Sequence, residues 1–209
     1  MPARGFTVPP GRAGRLWLQR RLRVAERSAE LLDRKLRILR LTLDARRDAA
    51  ARAAEDWDRC NAEAQRWLLR AALLGGERAI RVAADGRLAD VTIDYGSVMG
   101  IRYPSGASCV FPEPATWDGL ALAGARRAQR AALQAAVRHA AAAEAMRLIE
   151  AETLATRQRL RAIKDRWIPR LQQALAEVTL AIEEQEIADA ARLRLAAGPV
   201  VQRAVRADR

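Results

Sequence analysis

Two lysines, two cysteines and a single histidine occur in 209 residues. Cys60 and Cys109 are too few for a disulfide framework, and with only His139 beside them they cannot close a four-ligand zinc site. Aromatic residues make up 4% of the chain, which leaves little material for a thick globular core. No run of about 18 uncharged apolar residues exists, so no membrane span is expected. The opening MPARGFTVPPGR lacks the apolar stretch of a secretion signal, and the expectation is a soluble cytoplasmic chain. Catalytic equipment is missing as well. There is no GxxxxGK[ST] phosphate loop, Gly75–Gly76 being only a glycine pair at a helix end. Nor does any His/Ser/Asp or His/Cys arrangement carry a nucleophile signature. No cofactor, metal or nucleotide site is expected.

Glycine and proline are absent where helices would need them absent. Neither occurs from Arg15 to Leu74, and only Pro169 interrupts Ala125 to Ala197. The chain therefore divides into a tail (1–14), a first helix (15–74), a central module (75–118), a second helix (119–197) and a final tail (198–209). In the first helix Leu18, Leu22, Ala25, Ala29, Leu32, Leu36, Leu39 and Leu43 alternate steps of four and three. After a break at Arg46 the same frame runs through Ala50, Ala53, Trp57, Cys60, Ala64, Trp67, Ala71 and Leu74. Such a repeat keeps one stripe facing a partner helix, as in a coiled coil. From Leu18 to Leu74 the helix would span about 85 Å, a length that needs a partner along its run.

The second helix supplies one. Ile149, Thr153, Thr156, Leu160, Ile163 and Trp167 alternate in the same way. Then Trp167, Leu171 and Leu175 step by four twice before Val178 and Ile182, a stutter that locally unwinds a left-handed supercoil. Pro169 falls inside it and removes one backbone hydrogen bond, so a bend or local slack is expected near Asp165. Between the helices, RLADVTIDY (87–95) and VMGIRY (98–103) are short and partly β-branched. Asp85–Gly86 reads as a two-residue hairpin turn between VAA and RLADVTI. The fold class expected is all-α: a long antiparallel two-helix coiled coil with a small central β-hairpin module.

Several stretches, in order, resemble the D subunits of V/A-type rotary ATPases, the family of the central rotor shaft. The opening VPPGRAGRLWLQRRLRVAERSAELLDRKLRIL is similar to the family's, with Pro10, Arg12, Leu16, Leu22, Leu31, Leu32 and Lys35 at matching places. Val98-Met99-Gly100-Ile101-Arg102-Tyr103-Pro104 resembles its VMG stretch, and Ile168-Pro169-Arg170-Leu171 with Glu183–Glu184 resembles its most specific segment. Gly11 departs from the threonine usual after the proline. The resemblance implies a non-catalytic rotor that transmits torque between ATP turnover in a ring of A and B subunits and ion translocation, of protons or sodium, in the membrane ring. It implies an F subunit docked on the shaft, a C subunit joining it to the membrane ring, and a cytoplasmic place peripheral to the cell membrane. No direct nucleotide binding, nucleic-acid binding or membrane insertion is expected.

The formal charge is +12, nearly all of it arginine. Arg12, Arg15, Arg20, Arg21, Arg23 and Arg27 crowd the start of the first helix, and Arg192 and Arg194 lie near the end of the second. In antiparallel helices both groups fall at one open end, the shaft tip. Arg12, Arg15, Arg20, Arg192 and Arg194 are therefore the candidate contacts to acidic loops of the ring, through pairs weak enough to exchange as the shaft turns. Heptads also suit a free-standing coiled-coil adaptor, and a basic stretch before leucines suits a DNA-binding protein. Glu26, Glu30 and Asp33 break up the basic face, and DNA binding leaves the hairpin and the returning helix unused. His139 and Cys60 read as seam or surface residues, and Cys109 as a partly exposed loop residue.

Overall fold

The computed structural model describes residues 7–84, 86–113 and 119–207, with side chains described as far as Leu195. Helix α1 spans Gly11–Ala83, strands β1 (Asp90–Val98) and β2 (Ile101–Val110) form an antiparallel hairpin, and helix α2 spans Leu120–Arg161. A π-helical turn, Ala162–Trp167, leads directly into helix α3, Ile168–Ala207. The described residues are thus mostly helical, with a small two-stranded antiparallel sheet. Alanine, leucine and arginine dominate the helices, and all three lose little conformational freedom there. The glycine pair does break the first helix: Gly76 has φ 70° and ψ 169°, and a further short helical stretch reaches Ala83. At the other end the helix passes through Gly198–Pro199 to Ala207, where a terminal tail was expected. A proline's fixed φ suits a helix, and its cost is one backbone hydrogen bond.

By contacts the chain forms two compact units. One comprises residues 1–34 with 157–209, the other residues 35–156. In the first, the start of α1 and the returning segment run antiparallel. Arg12 Nη2 lies 2.7 Å from Glu186 Oε1, and Lys164 Nζ lies 4.0 Å from Asp33 Oδ1, so advancing along one helix means retreating along the other. Leu18, Ala25, Leu171 and Ala174 form the buried centre, flanked by Leu22, Ile163, Trp167, Leu175 and Val178. The π turn sits beside this core. Ile168 N–H donates to the carbonyl of Ile163, five residues back rather than four. Pro169 has no N–H for the Asp165 carbonyl, so the widened turn stands where an α-helical bond is already impossible.

In the second unit α1 packs against α2, again antiparallel. Lys35 Nζ donates to Glu152 Oε1 at 2.7 Å, Arg47 Nη2 pairs with Glu150 Oε1 at 2.5 Å, and the Trp57 and His139 rings stack at 5.6 Å. Buried Thr153 donates to the Ile149 carbonyl at 2.7 Å, and Thr156 reaches Glu152 at 3.4 Å, so both polar seam residues are satisfied. Trp67 lies against Gly124: a Cβ on Gly124 would meet the indole at 2.5 Å. The Trp67 Nε1–H donates to Glu63 at 2.8 Å.

The hairpin closes elsewhere than expected. Its turn is Met99–Gly100, with φ of 49° and 83°, the pair of left-handed residues that a two-residue hairpin requires. Asp85 lies outside the described residues, Val82 and Ala83 remain helical, and the Asp85–Gly86 hairpin turn is thereby corrected. Opposite pairs run from Val98↔Ile101 to Asp90↔Val110, with a register shift between Asp94 and Tyr95. Ser105 is the extra residue, beside Pro104, a place where a missing ladder donor is tolerated. Tyr103 anchors the hairpin: it is buried with Leu43, Ala145 and Ile149, and Arg46 Nη2 donates to its hydroxyl at 3.0 Å. Cys109, expected to be partly exposed, is buried within β2. Its neighbour across the strands is Val91.

The close contacts generate two stability predictions. Gly124→Ala forces the Trp67 ring aside and lowers stability by about 1–3 kcal/mol. In a Trp67→Leu background the same change raises stability, by up to about 1 kcal/mol, because alanine is the better helix former. Met99→Asn places a residue that accepts positive φ at the turn and stabilises by about 1 kcal/mol. Thermal unfolding followed by circular dichroism checks both; a loss from Gly124→Ala that persists without the indole would contradict the packing argument.

Candidate functional site

Among the described residues no group of three or more histidine, cysteine or acidic side chains could hold a metal ion, and no helix is long and apolar enough to cross a membrane. Arg12 is exposed and engaged with Glu186. Arg15 is half-buried, and its Nε has no hydrogen-bond acceptor among the described residues. Arg192 pairs with Asp189 in its own helix at 3.0 Å, and Arg194 is exposed, both lying beyond Glu186 along α3. Arg20 is also exposed. Two of the five candidate tip contacts are thus held by carboxylates of this chain, in surface pairs worth at most about 1 kcal/mol each.

The stripe read from the spacing lies inside. Leu18, Leu36, Leu39, Leu43, Leu160, Leu171 and Ile182 are buried. Leu22, Leu32, Ile163, Trp167, Leu175 and Val178 are half-buried. Leu74, the last position assigned to the stripe, is 79% exposed. It falls two residues before the break at Gly76. Pro169 is exposed, immediately after the π turn.

One arrangement escaped the spacing. Arg21 stands with its guanidinium carbon 4.8 Å from the centre of the Trp17 ring and 5.9 Å from that of the Trp167 ring, a cation within reach of two indoles. Around it opens a groove of about 580 Å³, lined by Trp17, Arg20, Arg21, Val24, Ile163 and Trp167 among others. The signal within the helix was legible, since Trp17 and Arg21 are four apart and share a face. Trp167 joins only through the returning segment, at the end of the π turn. Elsewhere, Arg147 donates to both oxygens of Glu144 at 2.8 Å, which holds that carboxyl below its ordinary range. That exposed pair lies within α2.

Near the end of α3 and at the π turn the basic residues alternate with acidic ones. Glu186 and Asp189 interleave with Arg192 and Arg194, and Asp33 sits opposite Lys164.

No curated protein matches the chain. The family model for the ATP synthase D subunit matches residues 16–198. The match takes in nearly all of α1, the hairpin, α2, the π turn and most of α3. With buried stripes on the helices, a hairpin at Met99–Gly100 and a widened turn before Pro169 all inside the matched span, the chain belongs to the D-subunit family of V/A-type ATP synthases and is a stalk component of a rotary ATPase.

Proposed function

We propose that this chain is the non-catalytic central-stalk rotor, carrying torque between ATP turnover in the A/B hexamer and proton or sodium translocation in the membrane ring. The observation that carries the reading is the family match over residues 16–198. Its partners are the A and B subunits, the F subunit on the shaft, and the C subunit as the link to the membrane ring. The protein works on the cytoplasmic side, peripheral to the membrane, and the nucleotide chemistry belongs to the ring.

A rotor needs resistance to twist, and an antiparallel coiled coil provides it when each helix is held at many points. Buried leucines supply non-directional attraction along the stripe, at about 25 cal/mol per Å² of apolar surface. Polar ties fix register. Lys35, Glu152 and Thr156 form one such group, half-buried or buried, and a one-residue slip would strand its charges. Both lysines of the chain are used in this way, Lys164 facing Asp33. The π turn and Pro169 act in the opposite sense. They shift the stripe and give the shaft an eccentric profile, so that a ring of three alternating states meets a different surface at each stage.

The direct test is assembly: the chain, added to purified A and B subunits, joins the hexamer and makes its ATP hydrolysis drive rotation. Failure to associate contradicts the reading. Charge reversal of Arg12, Arg15 and Arg20 lowers coupling efficiency several-fold with helix content retained, and undiminished rotation would remove these residues from the contact. Pro169→Ala restores the missing N–H and lets the π turn tighten, which displaces the downstream stripe. Coupling is expected to fall while thermal stability rises or holds; normal coupling would make Pro169 a tolerated kink.

A further inference from the structure

We propose that the groove beside the π turn is a receptor for an acidic segment of the catalytic ring, a contact that rests on the rotor reading and joins Arg20, already a candidate ring contact, to Arg21 and an apolar wall. Three features of the groove converge on a carboxylate-bearing protein segment. Its walls are apolar and aromatic, Trp17, Val24, Ala25, Ile163 and Trp167, which suits the aliphatic stem of a peptide. Its charge is cationic: Arg20 and Arg21 both line it. Neither of these guanidinium groups makes an ion pair with a carboxylate among the described residues. This separates them from Arg12 and Arg192, which already hold Glu186 and Asp189.

The position of Arg21 strengthens the case. With its guanidinium carbon 4.8 Å from the centre of the Trp17 ring and 5.9 Å from that of Trp167, the cation is held near two indoles without any carboxylate, and its N–H groups remain the means of binding one. Such a fork matches a carboxylate in bidentate fashion, and the neighbouring indoles reduce the freedom it loses on binding. A third feature is the wall itself. Ile163 and Trp167 both belong to the π turn. Single π turns carry poorer hydrogen bonding and occur frequently at functional sites. An acidic side chain entering here would bridge the start of α1 and the π turn, so that force applied by the ring reaches both helices.

The test uses the full chain and the A/B hexamer. Arg20→Glu with Arg21→Glu weakens hexamer binding about tenfold or more. Arg52→Glu with Arg127→Glu, an equal change of charge at exposed positions outside the groove, leaves it within about threefold. Circular dichroism verifies folding of each. Arg20→Ala alone, at an exposed residue that stacks on nothing, lowers affinity several-fold even if the double variant is unstable. Wild-type binding to the hexamer with undiminished binding by the groove variants overturns this inference and leaves the rotor reading standing. Absence of wild-type binding overturns both. Titration of the isolated chain with inorganic phosphate at constant ionic strength should leave tryptophan fluorescence unchanged; a saturable response lost in the double variant would make the groove a small-anion site and overturn the protein-segment assignment.

Discussion

The structure depends on one constraint: helices this long and this poor in aromatic residues are stable only while their apolar stripe is covered. Isolated helices gain little from propensity and fray at their ends, whereas an amphipathic helix held by a neighbour does not. Leu18, Leu39, Ile149 and Leu171 are fully buried, and each belongs to a stripe whose opposite face is arginine and glutamate. Alanine at Ala64, Ala71, Ala135 and Ala145 is buried to a similar degree, so much of the interface is made of side chains that hold little area. Close backbone approach compensates, and Trp67 lying on Gly124 is its extreme form.

Electrostatics refine the pairing. A net charge of +12 suggests a uniformly basic surface, yet ion pairs tie α1 to α2 and to α3 at defined points. Lys35–Glu152 is the least exposed of these, and its oxygen is shared with Thr156. The exposed pairs contribute little to stability. Their effect is on register, since a one-residue slip would bring Ile149, Ala151 or Thr153 to Arg47 and Lys35 in place of Glu150 and Glu152. For a rotor proposed to be turned by its neighbours, a defined register is worth more than additional stability.

Much of this was legible because helical periodicity survives without knowledge of the partner. The leucines from Leu18 to Leu43 and the run from Ile149 to Ile182 were found by spacing alone, and the slack foreseen near Asp165 coincides with the π turn at 162–167. What failed was local. Asp-Gly is the stronger turn signal by composition, yet the chain turns at Met99–Gly100, where pairing of Val98 with Ile101 and the anchoring of Tyr103 outweigh a non-glycine residue's reluctance to adopt positive φ. Leu74 continues the stripe in sequence but not in space, because Gly76 ends the helix that carries it. The candidate tip arginines were chosen by charge alone, and charge does not reveal which of them are already occupied. The indole–guanidinium arrangement needed Trp167 brought across from 146 residues further along the chain than Arg21.

The central claim is that the two ends of the chain's helical sequence grip one another antiparallel within a single molecule. Spin labels at positions 12 and 186, after Cys60→Ala and Cys109→Ala, measure it by pulsed electron resonance. The expected result is one short, narrow separation, unchanged when labelled protein is diluted with unlabelled protein and matched by a second short separation for labels at 33 and 164. A long or broad distribution, or a short distance that disappears on dilution, would contradict the account.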